Sequence, residues 1–146
     1  MSLHLKTARL AGWQVRLLCW SGAALWLSGA LWLLVHYFGR VQGEFGPEAN
    51  PAEPWLLRLH GAALLALLLG VGSLLVVHVW RGWAYRQQRW IGLSLLILLG
   101  LLVLSGYLLY YAGDEALRAW DSVVHWSVGL VALPVFVWHY LHGRRL

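Results

Sequence analysis

Four stretches of this chain, about residues 17–38, 55–80, 90–111 and 120–140, run apolar for roughly 20 residues or more. That length is enough to carry a helix across the ~30 Å hydrocarbon core of a bilayer. Inside hydrocarbon every backbone N–H and C=O has to be satisfied within the protein, which a helix does by itself. The expected fold is therefore all-α: a transmembrane four-helix bundle forming a single integral-membrane domain over residues 1–146, with helices at about 14–39, 54–80, 88–111 and 118–142. Composition agrees, because 60% of the residues are hydrophobic and 12% charged, and a soluble domain carries about twice that charge.

Trp and Tyr stand at most of the span ends, including Trp13, Trp55, Trp80, Trp90, Tyr111, Trp120 and Tyr140, as in the aromatic belts at membrane–water interfaces. Residues 39–54 (GRVQGEFGPEANPAEP) are rich in Gly, Pro and Glu and read as a loop, 81–89 as a compact basic turn and 112–119 as a compact, mostly acidic turn. The first span reads as a retained helix, being too long for a signal-peptide core. Cys19 is the single cysteine, which excludes an internal disulfide framework, a cysteine-rich iron–sulfur site and covalent haem attachment through CxxCH.

The net charge of +5 is explained by membrane flanks and does not call for nucleic acid. Lys6, Arg9, Arg16, Arg81, Arg86, Arg89, Arg144 and Arg145 fall on one side of the spans. All six acids, Glu44, Glu48, Glu53, Asp114, Glu115 and Asp121, fall on the other, with Arg40, Arg58 and Arg118. The positive-inside rule then places both termini in the cytoplasm. In a bacterium the acidic loops would face the periplasm, and the chain would be a multi-pass protein of the inner membrane.

Ionisable residues inside hydrocarbon are costly and read first as functional. His60 and His78 are 18 residues apart in the second span; at about 100° per residue that is five whole turns, so a regular helix puts both on one face. His125 and His139 are 14 apart in the fourth, about 40° short of the same face. The second and fourth spans run in the same direction. His60 lies five residues past Trp55, and His125 five past Trp120, which gives them similar depth. The expected pairs are His60 with His125 and His78 with His139, each pair offering two imidazoles to one haem b. Noncovalent haem needs two such axial ligands and a close apolar slot. The fit in rise is imperfect, about 27 Å against about 21 Å. His142 matches the rise better but turns about 100° off the face, and it is held in reserve.

His36, near the outer end of the first span, is an alternate: an iron ligand in place of His60, a quinone partner, or a hydrogen-bonded interfacial residue. His4 reads as solvated. Arg58 and Arg118 go against the charge rule and are candidates to bind haem propionates, for which a bidentate guanidinium is suited. Arg16, Arg81 and Arg86 are better explained as inner-side charge. Gly129, one turn after His125, together with Gly61, Gly70 and Gly72, provides gaps for a porphyrin edge or for close helix packing. Tyr107, Tyr110 and Tyr111 suit an outer pocket or an aromatic belt equally. With no acid expected in mid-membrane, a proton pump or coupled transporter is disfavoured. No internal repeat is evident beyond the two histidine pairs.

The runs HYFGRVQGEFGPEANPAEPWLLRLHG (36–61) and LSGYLLYYAGDEALRAWDSVVHWSVGL (104–130) resemble those of small bacterial four-helix b-type cytochromes, similar to the membrane cytochrome b subunits of nickel hydrogenases and formate dehydrogenases. The resemblance covers nearly the whole chain. It implies two b haems, bis-histidine ligation and contact with quinone, and it keeps His36 in play, since a first-helix histidine can be a ligand in the hydrogenase subunits. The expected function is electron transfer between the quinone pool and a periplasmic partner, such as a c-type cytochrome or a dehydrogenase subunit, within a larger membrane complex. A haem-free membrane anchor or assembly subunit is the alternative, and a metal-ion carrier using the histidines a third. The orientation has a direct check. Alkaline phosphatase is expected to be active when inserted in the 39–54 loop and inactive when fused after Leu146.

Overall fold

The computed structural model describes residues 10–86 and 88–143; the expectations for His4, Lys6, Arg9, Arg144 and Arg145 fall outside them. The protein is all-α in its spans, with four helices among the described residues long and apolar enough to cross a membrane. The elements are α1 (Gly12–Phe38), a small hairpin of β1 (Val41–Gly43) and β2 (Gly46–Glu48), and α2 (Glu53–Leu74). A π-helical turn (Leu75–Val79), α3 (Trp80–Ala84), α4 (Arg89–Tyr111) and α5 (Glu115–Gly143) follow. They form two compact units, Met1–His78 and Val79–Leu146.

In the first unit α1 packs on α2. Gly39 ends α1, its N–H donating to the Val35 carbonyl at 2.8 Å. The loop expected over 39–54 contains the antiparallel β1–β2 hairpin, registered Val41 to Glu48. Its two-residue turn closes at Gly46, whose φ of 122° costs a glycine little and an L side chain much. Asn50 then folds the chain into α2: its side chain donates to the Gly39 carbonyl at 2.7 Å and accepts from the Ala52 N–H at 2.9 Å. Pro54 follows in the first turn of α2, where its missing N–H costs nothing. At the other end Gln14 of α1 donates to the Ser73 hydroxyl at 3.1 Å and the Ser73 carbonyl at 3.3 Å.

In the second unit α4 packs on α5. Asp114 caps α5 by accepting from the Leu117 N–H at 2.7 Å, a strong N-terminal signal. Half of the segment expected as an acidic turn is thus the first turn of α5. Arg81–Ala84, expected as part of a basic turn, is helical.

Two irregularities interrupt the spans. The turn Leu75–Val79 is π-helical and holds one residue more than an α-turn, an arrangement common at functional sites. His78 lies inside it, so the count of five whole turns from His60 is off by up to about 100°, one α-helical residue. Pro134 lies inside α5 between His125 and His139 and removes a backbone donor there.

Burial is inverted relative to a soluble protein. Among the described residues Ser21, Ser28, Glu53, Ser105 and Asp121 are buried, with Leu18, Ala63 and Leu74 as the buried hydrophobic side chains beside them. Trp20, Leu65, Leu69 and Trp120 are each at least 67% exposed. Apolar exposure on this scale suits lipid as the solvent. The Gln14–Ser73 contact gives a test of α1–α2 pairing. Gln14→Ala and Ser73→Ala are each expected to lower stability by about 0.5–1.5 kcal/mol. The double variant should add little more, as read by thermal unfolding in detergent in a double-mutant cycle.

Candidate functional site

The centre of each unit is a histidine held by a serine. In the first, Ser28 of α1 places its hydroxyl 3.2 Å from Nδ1 of His60 on α2. In the second, Ser105 of α4 lies 2.8 Å from Nδ1 of His125 on α5. Each hydroxyl also reaches a carbonyl of its own helix, Leu25 at 3.0 Å for Ser28 and Leu101 at 2.8 Å for Ser105. Ser28 is 1% exposed and Ser105 6%, so these are interior contacts.

The residue after each serine is a glycine facing the same ring. A Cβ at Gly29 would stand 3.0 Å from Cε1 of His60, and one at Gly106 would stand 3.4 Å from Cε1 of His125. Leu27-Ser28-Gly29 and Leu104-Ser105-Gly106 therefore repeat one arrangement: the hydroxyl holds the ring and the glycine lies beside it, tightly at Gly29 and at ordinary contact distance at Gly106. The sequence carried the signal as a repeated Leu-Ser-Gly, one copy per unit.

His139 is set differently. With the Gln88 amide oriented so that its oxygen accepts from the Gly143 N–H at 2.9 Å, the amide nitrogen donates to Nδ1 of His139 at 3.2 Å. Gly92 is the nearby small residue, with its Cβ position 3.9 Å from the His139 ring. His78 sits in the π turn. His142 stacks on Trp138 with centroids 6.3 Å apart and lines an open cavity of about 450 Å³ with Arg86, Arg89 and Trp90.

His36 is engaged at the outer end of α1. Its Nδ1 lies 3.1 Å from Oε2 of Glu53, and its ring stacks on Trp32 at 4.5 Å. Glu53 is buried and also accepts from the Asn50 N–H at 3.3 Å. This is the hydrogen-bonded arrangement, one of the three expected for His36. Arg58 is exposed and lays its guanidinium over the Trp55 ring, 4.5 Å from the centroid. Arg118 is exposed in the first turn of α5. A Cβ at Gly129 would stand an ordinary 3.8 Å from Leu102 of α4, and one at Gly70 would stand 3.0 Å from Leu18, both as in close helix packing. Tyr107 and Tyr111 stack on each other at 4.4 Å.

Residues not singled out by the sequence reading matter as much. Ser28, Ser105, Gly29, Gly106 and Gln88 touch the histidines, and Glu53 holds His36. Asp121, counted from sequence with the outer loop acids, is buried in α5 one turn before His125. Its Oδ2 has no hydrogen-bond partner among the described residues, and neither have the indole nitrogens of Trp126 and Trp32.

Comparison with family models, curated proteins and solved structures gives no match to the chain. The donor set itself is what bears on a cofactor. Among the described residues no three His, Cys, Asp or Glu side chains gather as a metal-ion cluster, but haem iron takes only two axial ligands from the protein. Imidazoles at positions 60, 78, 125 and 139, with those at 60 and 125 braced through Nδ1, are of the kind haem b uses, and an Nδ1 brace is the usual outer support of a metal-binding histidine. The residues fit. The two glycines provide a graded check. Gly29→Ala is expected to disturb the His60 ring more than Gly106→Ala disturbs that of His125, because of the tighter approach. The imidazole resonances of each variant in detergent would report it.

Proposed function

We propose that this protein is a di-haem b-type membrane cytochrome that moves electrons across the bilayer. The observation that carries the reading is the pair of serine-braced histidines, His60 and His125. A half-buried imidazole in an apolar span, held by Nδ1 to a neighbouring helix, is arranged as a ligand is, with its protonation directed by that bond. His60 pairs with His125 for one haem, and His78 pairs with His139 for the other, as their depths in the sequence suggest. Bound haem supplies one-electron Fe(III)/Fe(II) chemistry.

The chain's own residues do the rest. The apolar spans exclude water, Ser28 and Ser105 orient two of the rings, and Gly29 clears space for that of His60. The charge asymmetry supports cytoplasmic termini and a bacterial inner-membrane location. The acidic outer loops would steer a basic periplasmic partner, because complementary charge raises the encounter rate. A c-type cytochrome or a dehydrogenase subunit on that side and the quinone pool are the exchange partners in this reading. His36 with Glu53, and Arg58 and Arg118, fall on the outer side in the charge reading and are candidates to meet quinone or haem propionates.

The interhelical histidine bonds also suit the second reading, a haem-free anchor subunit whose histidines only tie helices together. One absorption spectrum separates the two. The purified protein is expected to show a Soret band, a b-type α band on dithionite reduction and two haems per chain by pyridine haemochrome; a colourless protein would refute the cytochrome. His78→Ala or His139→Ala is expected to lose one haem of the two, and His60→Ala or His125→Ala the other.

A further inference from the structure

Ser28 and Ser105 each have one hydrogen to give and two acceptor lone pairs. Each hydroxyl oxygen is in contact with a backbone carbonyl, Leu25 at 3.0 Å or Leu101 at 2.8 Å, and with an imidazole Nδ1, at 3.2 Å or 2.8 Å. A carbonyl cannot donate. The arrangement that makes each contact a separate two-centre hydrogen bond has the hydroxyl donating to the carbonyl and the ring N–H donating to the hydroxyl oxygen. Both histidines then carry their proton on Nδ1 and their lone pair on Nε2. Which ring nitrogen of a neutral histidine carries the proton is set by its hydrogen bonds, and here the neighbouring helix supplies the deciding one.

From this geometry we infer that Ser28 and Ser105 are positioning residues, which fix His60 and His125 as Nδ1–H imidazoles and so make Nε2 the basic nitrogen of each ring, the one competent to bind a metal. The role toward iron rests on the cytochrome reading; the tautomer itself does not. Three features make the arrangement a built one. It occurs in both units with the same Leu-Ser-Gly order. Both serines are buried, so water does not compete for their lone pairs. A glycine follows each serine beside the ring; a Cβ at Gly29 would stand a tight 3.0 Å from His60, and one at Gly106 an ordinary 3.4 Å from His125.

His139 supplies a contrast within the same chain. The Gln88 amide nitrogen donates to its Nδ1, the reverse polarity. Hydroxyl bracing is therefore a property of the His60 and His125 positions and is not common to every histidine of the spans.

A ring N–H that donates to an oxygen makes its imidazole a more basic ligand and favours ferric iron over ferrous. Removing the oxygen should raise the midpoint potential. The experiment uses the full-length protein with ¹⁵N-labelled histidine, in detergent, with Ser28→Ala, Ser105→Ala and the corresponding threonine variants. In haem-free wild-type protein, the nitrogen shifts and couplings of His60 and His125 are expected to show the proton on Nδ1. The alanine variants should show a mixture with Nε2–H, and the threonine variants, which keep the hydroxyl, should restore Nδ1–H. In haem-loaded protein, each alanine variant is expected to raise the midpoint of one haem and leave the other unmoved, with threonine reversing the shift.

Nε2–H in the wild type overturns the inference, and that measurement needs no variant to fold. Alanine variants that change neither tautomer nor potential overturn it as well. A protein that takes up no haem but shows Nδ1–H at both positions refutes the cytochrome and leaves the serine assignment standing.

Discussion

A polar ring inside hydrocarbon needs a partner, and the partner must itself be satisfied. Two contacts meet that demand here: the Ser28 hydroxyl with His60 and the Ser105 hydroxyl with His125, each serine also tied to a carbonyl of its own helix. Much of the local architecture depends on them. Helices must come close enough for a serine, the shortest hydroxyl side chain, to reach an imidazole, and Gly29 permits the closer of the two approaches. In lipid such contacts are modest singly, often less than about 1 kcal/mol. Their value lies in direction, because they settle which nitrogen of each ring carries a proton.

The inversion of burial follows from the same solvent. With lipid outside, burying leucine gains little, and the interior fills instead with groups that lipid cannot satisfy: Ser21, Ser28, Glu53, Ser105 and Asp121. Glu53 and Asp121 stand near the starts of α2 and α5, seven and four residues before the braced histidines. They are treated differently. Glu53 holds His36 and the turn at Asn50, while one oxygen of Asp121 has no hydrogen-bond partner among the described residues. Acid near the histidines is thus part of the helices and not confined to the loops around them.

The ends of the spans differ in regularity. His60 and His125 lie in unbroken α-helix. His78 lies within a π turn, and His139 follows Pro134 and is met by Gln88. A π turn and a proline each re-aim the side chains beyond them. Simple angular arithmetic therefore serves well for the first member of each pair and poorly for the second. In the cytochrome reading, one haem site would be shaped mainly by hydrogen bonding across a hairpin and the other by local departures from the α-helix.

The spans, their number and the helical class were legible in the amino-acid order alone, because hydrocarbon leaves a long apolar segment few ways to satisfy its backbone. The histidines stood out for the same reason: an imidazole is rare and costly in that setting. Their spacing was legible only as far as the helix stayed regular, so the π turn around His78 escaped the count. The β1–β2 hairpin, the helical start at Glu115 and the buried place of Asp121 were also decided beyond composition, by turn geometry at Gly46 and by the Asp114 cap. Serine and glycine are ordinary residues in membrane helices, and nothing in their own chemistry marks Ser28, Gly29, Ser105 or Gly106. Only the packing of one helix on the next brought those hydroxyls to the rings, since a hydrogen bond depends on a distance that a linear sequence does not contain.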